Sequence, residues 1–347
     1  MSVVVPVANG GDDFVRCLDA LRASPAVPPW ELIVVDDGST DGSVERARAA
    51  GARVVATSRL RSGPAVARNV GAAVAKGRFL LFIDADVLVT PRTIGQVAEV
   101  FRREPSLAAL FGSYDRLPLA PNFISQYRNL LHHYVHQTSR GAATTFWAGC
   151  GAVRREVFSR LDGFDTSYRR PSIEDIEFGY RMTRAGYAVR LCHEIQVTHL
   201  KRWTPLSVLR TDIRDRGIPW TQLLLRERVF TADLNLQSRN RVSVVCTYLL
   251  GGALLGIVLW PMLAVVALLL AAALVGLNAR LYAFFARERG VAFALGAIPW
   301  HWLFYSYNGL TFALGVLAYL RAGAPRSAET PDATLATAWA RGDETAV

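Results

Sequence analysis

Asp36-Asp37 and Asp84-Ala85-Asp86 set acidic side chains close enough to act on one ligand, and Glu174-Asp175 is a further acidic pair. The first two follow directly on short apolar runs, Leu32 to Val35 and Leu80-Leu81-Phe82-Ile83. Alternate side chains of an extended segment point the same way, so Asp84 and Asp86, which bracket one residue, can converge on a single cation. Hard oxygen ligands of this kind suit magnesium or manganese bridging a diphosphate, with water and phosphate oxygens completing the shell. Taken singly, each cluster has a plain alternative. Asp36-Asp37-Gly38-Ser39 reads equally as a solvated turn capping a helix that starts near Ser43, and Asp84-Ala85-Asp86 as an acidic strand end. Together they say more, because two unrelated turns have no reason to converge on one crevice.

The elements that must hold these acids alternate. Val3 to Val7 reads as a strand; Phe14, Leu18 and Leu21 then recur on one helical face, with Asp12 or Asp13 as its cap. Leu32 to Val35 is a second strand, Asp36 to Gly42 a loop, and Val54 to Ala56 a short strand. Pro64 to Lys76 is a helix with Gly77 beyond its end, and Phe79 to Ile83 is a further strand. This pattern predicts an α/β domain with a mostly parallel sheet. Ligands of such sheets bind at the carboxyl ends of the strands, which is where the first two acidic clusters fall.

The rest of the 347 residues, 51% of the chain being hydrophobic, is organised differently. Val242 to Leu277 is an almost uninterrupted apolar run and Val291 to Leu320 a second apolar and aromatic one. A bilayer span needs about 20 largely apolar residues, so the first run suits a two-span hairpin broken at Pro261 and the second a further span. The expected layout is a catalytic domain over 1–205, a basic amphipathic juxtamembrane segment over 206–241, transmembrane regions over 242–277 and 291–320 joined by a cytoplasmic linker over 278–290, and a disordered tail over 321–347. Ser2 to Val7 lacks the basic flank and longer apolar core of a secretory signal. With Arg239, Arg241, Arg280, Arg287 and Arg289 flanking the first run, the expectation is a multi-pass protein of the cell (inner) membrane with a cytoplasmic catalytic domain.

The formal charge of +10 allows nucleic acid or an acidic membrane as partner. The arginines crowd between Lys201 and Arg241, just ahead of the first span, and no nucleic-acid motif accompanies them, which favours membrane lipids. Cys17, Cys150, Cys192 and Cys246 form no Cys-x-x-Cys pair and read as reduced and mostly buried. His132, His133 and His136 have helical spacing without a matching carboxylate or cysteine, and read as an acceptor-side or interface helix.

In order, Val4-Val5-Pro6-Val7-Ala8-Asn9, Val34-Val35-Asp36-Asp37-Gly38-Ser39-Thr40-Asp41, Ala67-Arg68-Asn69-Val70-Gly71, Asp84-Ala85-Asp86, Gly149-Cys150-Gly151-Ala152 to Gly163-Phe164-Asp165, and Glu174-Asp175 resemble glycosyltransferase family 2, with the GT-A fold. The resemblance covers roughly the first two-thirds of the chain, and the ordered set is specific although each motif alone is not. It implies a nucleotide-diphosphate sugar donor. Asp37, with Asp36, would bind the nucleobase, beside backbone from Pro6, Val7 and Ala8. Asp84 would face the ribose or the metal and Asp86 would hold Mg²⁺ or Mn²⁺, while Arg59 or Arg61 reaches the base or diphosphate. Arg68 and Asn69 either brace their helix or touch substrate.

The same resemblance makes Asp175 the base that activates an acceptor hydroxyl, with Glu174 beside it. Direct attack by such a hydroxyl inverts the anomeric centre. Trp147, Gly149 and Cys150 resemble an acceptor-side loop, in which glycine permits close backbone approach and Trp147 stacks on a sugar or packs in the core. His199 is the candidate to complete the metal shell, against a packing or hydrogen-bonding role. The implied acceptor is a glycan, a lipid-linked species or a peptide. Competing readings are transfer to a polyprenyl phosphate, which arrives ionised and needs no base; a non-catalytic nucleotide-binding membrane module, which has no use for Asp175; and a transporter, against which Val242 to Leu277 carries no charged residue.

Overall fold

The computed structural model describes residues 1–227 and 238–322, which form two compact units. Part of the juxtamembrane segment, 228–237, and nearly all of the tail, 323–347, lie outside the described residues. Met1–Ala120 with Arg140–Arg202 makes the α/β unit; Pro121–Ser139 with the residues from Trp203 onward makes the helical unit.

The α/β unit is built on β1 (Ser2–Val7), β2 (Glu31–Asp36), β3 (Arg53–Ala56), β4 (Phe79–Ile83), β5 (Val87–Leu88), β6 (Leu107–Tyr114), β7 (Ala142–Ala143), β8 (Cys150–Arg154) and β9 (Ala188–His199). They run in the order β3-β2-β1-β4-β8-β6-β9-β5, with β7 on β9. The helices here are α1 (Gly11–Arg22), α2 (Ser43–Ala49), α3 (Pro64–Val74), α4 (Thr93–Arg103), α6 (Arg155–Arg160) and α7 (Glu174–Arg184). Strands β3, β2, β1 and β4 are parallel, β8 is antiparallel to both β4 and β6, and β9 is parallel to β6. The sheet is therefore mixed, which corrects the expectation of a mostly parallel one. The strand-helix alternation that supports that expectation ends at Ile83, and the reversed β8 sits in the middle of the sheet.

The unbroken apolar character of β1 reflects burial on both faces. Val3, Val5 and Val7 pack with Phe14, Leu18 and Leu21 of α1 in one core. On the opposite face α3 lies so close that a Cβ on Gly71 would stand 2.4 Å from Val4 Cγ1. Phe82, Phe158, Phe164 and Phe178 cluster with ring centroids 5.1 to 5.3 Å apart, which fixes α7 against the centre of the sheet.

The helical unit contains α5 (Phe123–Thr138), α8 (Pro205–Arg210), a π-helical stretch Thr211–Gly217, α9 (Ile218–Glu227), α10 (Ser238–Gly256), α11 (Leu263–Leu277), α12 (Ala279–Arg289) and α13 (Val291–Ala322). A turn around Pro261 separates α10 from α11. Among the described residues one helix, over Val291–Arg321, is by length and composition able to cross a bilayer; α11 and α12 pass the same test only together, across a 64° bend. Leu255, Val258, Leu259, Trp260 and Met262 are exposed. Inside this unit the buried Asp212 pairs with Arg128 and accepts the Tyr307 hydroxyl at 2.7 Å, and His133 stacks on Phe284.

Candidate active site

At the carboxyl ends of β1 and β2 the chain knots itself together with its own polar groups. Asn9 takes a left-handed conformation, φ 56°, and its side-chain oxygen accepts the Thr40 amide at 2.7 Å. Gly11 N donates to Asp41 Oδ2 at 2.8 Å, and Ser39 N to Asp36 Oδ1 at 2.9 Å. Asp37 is buried and accepts three hydrogen bonds, from the Thr57 hydroxyl (2.8 Å) and the amides of Ser62 (2.7 Å) and Gly63 (2.8 Å). Gly63, at φ 97°, must be glycine, since a Cβ there would stand 2.5 Å from Arg169 O. Asp37 thus organises the loop ahead of α3. Arg61 sits on that loop, exposed, with its amide on Asp37 O at 3.2 Å. At the end of β1, Val7 is buried with its carbonyl on the Asp37 amide and Pro6 is half-buried, while Ala8, just beyond the strand, is exposed.

The next layer is only partly legible as a motif. Arg68, buried on α3, donates to Asp84 Oδ1 at 2.7 Å and to Glu174 Oε1 at 2.8 Å. Burial alone opposes its charge, but Asp84, Glu174 and Asp175 outweigh that and raise its pKa. One guanidinium therefore joins the second acidic cluster to the third. Its neighbour Asn69 exchanges hydrogen bonds with the Phe164 backbone, at 2.8 and 2.9 Å, and so ties α3 to the segment that leads into α7. Glu174 is buried, and its other oxygen accepts the Ser172 amide at 2.9 Å.

Asp86 faces another way. Its Oδ2 lies 3.5 Å from His199 Nε2, with the side chain still 34% exposed. His199 arrives there because β9 pairs antiparallel with β5, Val87 opposite His199, and Leu200 N donates to Asp86 O at 2.9 Å. The imidazole stacks on Tyr114 at 4.3 Å, and Tyr114 meets Trp147 edge-on at 4.7 Å. Burial pushes the Asp86 carboxyl up, but the hydrogen bond and charge of His199, with Lys201, outweigh it and hold the pKa below the ordinary value.

Asp175 is the second residue of α7, whose first turn is acidic and last turn basic, as the helix dipole favours. Gly179 lets this helix approach so closely that a Cβ would stand 2.4 Å from Phe146 N. Asp175 Oδ2 consequently accepts the Ala148 amide at 3.0 Å, while Oδ1 accepts Ile176 N at 2.8 Å. The carboxylate is tied to the Trp147-Ala148-Gly149 loop, and Gly149 O in turn accepts the Asp84 amide at 3.3 Å. Cys150 lies inside β8 opposite Ile83, its thiol pushed up to about 12 by burial first and Asp84 second.

Among the described residues no three His, Cys, Asp or Glu side chains form a group that could hold a metal ion. Asp86 and His199 stand together, whereas one Asp84 oxygen is taken by Arg68. Two protein ligands still fit Mg²⁺, which commonly keeps several waters and takes one or two carboxylates plus substrate phosphates.

The mixed sheet and crevice define the α/β unit as a GT-A fold. Residues 2–162 match the model of Glycosyl transferase family 2. The chain is 27% identical over 189 residues to an uncharacterized glycosyltransferase of Haemophilus influenzae, covering 51% of this chain and 60% of that one. It is 34% identical over 116 residues to the dodecaprenyl-phosphate galacturonate synthase of Rhizobium johnstonii, covering 31% and 34%. The chain thus spans less than two thirds of the length of these relatives. In fold it is similar to a mannosyltransferase of Pyrobaculum calidifontis solved with GDP-Man and Mn²⁺, at TM-score 0.54 and 18% identity over 93% of this chain and 87% of that one.

Proposed function

We propose that the chain is a membrane-anchored glycosyltransferase that moves a sugar from a nucleotide-diphosphate donor to a hydroxyl acceptor with inversion. The observation that carries this reading is the meeting of Asp84, Glu174 and Asp175 around Arg68 at the carboxyl end of β4, with the Asp86–His199 pair two residues beyond Asp84. Pro6, Val7, Ala8, Asp36, Asp37 and Arg61 line the nucleotide end, where the backbone knot of Asn9 to Asp41 supplies a rigid cradle.

In the proposed reaction the acceptor hydroxyl lies against Asp175, beside Trp147 and Gly149. Asp175 is oriented there by the Ala148 and Ile176 amides, and a carboxylate oxygen can accept more than one hydrogen bond. It takes the hydroxyl proton as the new glycosidic bond forms and the bond to the nucleoside diphosphate breaks on the opposite face. Asp86 and His199, with the remaining Asp84 oxygen, would hold Mg²⁺ or Mn²⁺, which when bound neutralises charge on the departing diphosphate. Arg68 keeps Asp84 and Glu174 charged and fixed, as preorganisation requires.

The exposed apolar side chains around Pro261 and the long apolar α13 support anchoring in a bilayer. On this reading the protein sits in the cell membrane with its α/β unit in the cytoplasm, and resists extraction by high salt. A donor screen on detergent-purified protein tests the activity: nucleotide release from one sugar nucleotide, lost in chelator, is expected. No release from any donor, with any divalent metal, would sink the reading. The likeness to a dodecaprenyl-phosphate enzyme favours a second acceptor, a polyprenyl phosphate, which Asp175 would not need to deprotonate.

A further inference from the structure

The α/β unit carries a second charged hollow, at the other end of β4. Phe79 opens that strand and pairs with Arg154, while Ile83 closes it and pairs with Cys150, just before Asp84. At about 3.3 Å per residue the two ends are roughly 13 Å apart. The hollow has a volume of about 250 Å³, and Arg78, Arg154, Arg160, Glu156, Ser106 and Tyr187 are among its lining residues.

Three guanidiniums thus share this space with one carboxylate. Arg154 is 6% exposed. Its Nε and Nη2 donate to the carbonyls of Leu107 and Pro105, each at 2.7 Å, and it lies over the rings of Phe79 and Phe101 at 5.3 and 5.4 Å. All four partners are uncharged. Among the described residues no carboxylate lies within ion-pair distance of Arg154, Arg78 or Arg160. Arg78 is exposed and stacks over Phe79 at 5.6 Å; Arg160, also exposed, donates to the Tyr187 hydroxyl at 2.8 Å. A buried charge held only by neutral groups is costly, and a multiply charged anion arriving from outside removes that cost. The planar fork of arginine matches phosphate oxygens, and a 250 Å³ hollow admits a mono- or diphosphate group.

We propose that the Arg78–Arg154–Arg160 hollow is a binding site for a phosphate-class anion, separate from the crevice that holds Asp86 and Asp175. The anion is either free in solution or the headgroup of an anionic lipid. This inference does not depend on the proposed sugar transfer.

The test is calorimetric titration of the full chain in detergent, in excess chelator, with inorganic pyrophosphate and separately with the short-chain lipid dihexanoyl phosphatidic acid. Substituting the two exposed arginines together, Arg78→Gln with Arg160→Gln, should weaken binding at least about tenfold, because each removes a charge-assisted contact. Asp86→Ala should leave it unchanged. Arginine-dependent binding of pyrophosphate supports the site with a soluble ligand; arginine-dependent binding of the phosphatidic acid alone supports it with a lipid headgroup. The proposal fails if neither probe binds, if the double variant binds both as tightly as the wild type, or if Asp86→Ala abolishes binding, which would assign the anion to the other crevice. Should the double variant lose its near-ultraviolet circular dichroism, Arg78→Gln alone carries the test, since that side chain is exposed and stacks over the Phe79 ring.

Discussion

The two halves of the α/β unit treat their carboxylates in opposite ways. In the parallel half, Asp37 is 7% exposed and its oxygens are filled by three donors of the chain itself. In the mixed half Asp86 keeps 34% of its side chain exposed and, among the described residues, has His199 at 3.5 Å as its one ion-pair partner. The lesson is that Asp37 builds the cradle, whereas Asp86 is left open to a ligand. Arg68 is the join, since it reaches from the parallel half to Glu174.

Breaking the open half should have the largest effect on activity. Asp86→Ala is expected to abolish metal-supported turnover while leaving the circular dichroism and melting curve of the unit unchanged; full turnover in excess chelator would remove the metal from the mechanism. Breaking the join should show first in stability. Arg68→Gln leaves Glu174 buried without its charge partner, and chemical denaturation should report a loss of about 3–5 kcal/mol. Breaking the cradle should cost less. Asp37→Asn turns a donor toward one of the Ser62, Gly63 or Thr57 groups, for an expected loss of about 1.5–3 kcal/mol, together with weaker nucleotide binding by titration. Equal stability of Asp37→Asn and the wild type would blur the contrast between the halves.

How much of the molecule is legible in the chain follows the same division. Up to Ile83 each apolar strand is followed by an amphipathic helix, so the strands, the helix opened by Pro64 and the position of both acidic clusters can be read from local pattern alone. Beyond Ile83 the signal is non-local. Nothing in Cys150–Arg154 says that it runs against β4, and nothing in Phe123–Thr138, whose histidine spacing reads as an acceptor-side or interface helix, says that it groups with the C-terminal helices. The Arg68 bridge joins residues 16 and 106 positions away, beyond any spacing rule; Ala67-Arg68-Asn69 stands out only as part of a motif. Cys150 is placed on the acceptor side only by the resemblance of its segment to a family loop, whereas its side chain is buried in the sheet. Burial of this kind depends on which face of β8 is covered, and a five-residue strand with small residues gives no alternation to read.

In the proposed reaction Asp175 acts on the acceptor and not on the donor. Asp175→Asn keeps the shape of the side chain and an oxygen for the Ala148 amide, yet it cannot take a proton. Donor titration alongside turnover with acceptor should therefore show nearly unchanged donor affinity and a rate lower by about 10²–10⁴-fold. Transfer at the wild-type rate would contradict the account, and would mean that the acceptor arrives already ionised, as a polyprenyl phosphate does, or that Glu174 or another group is the base.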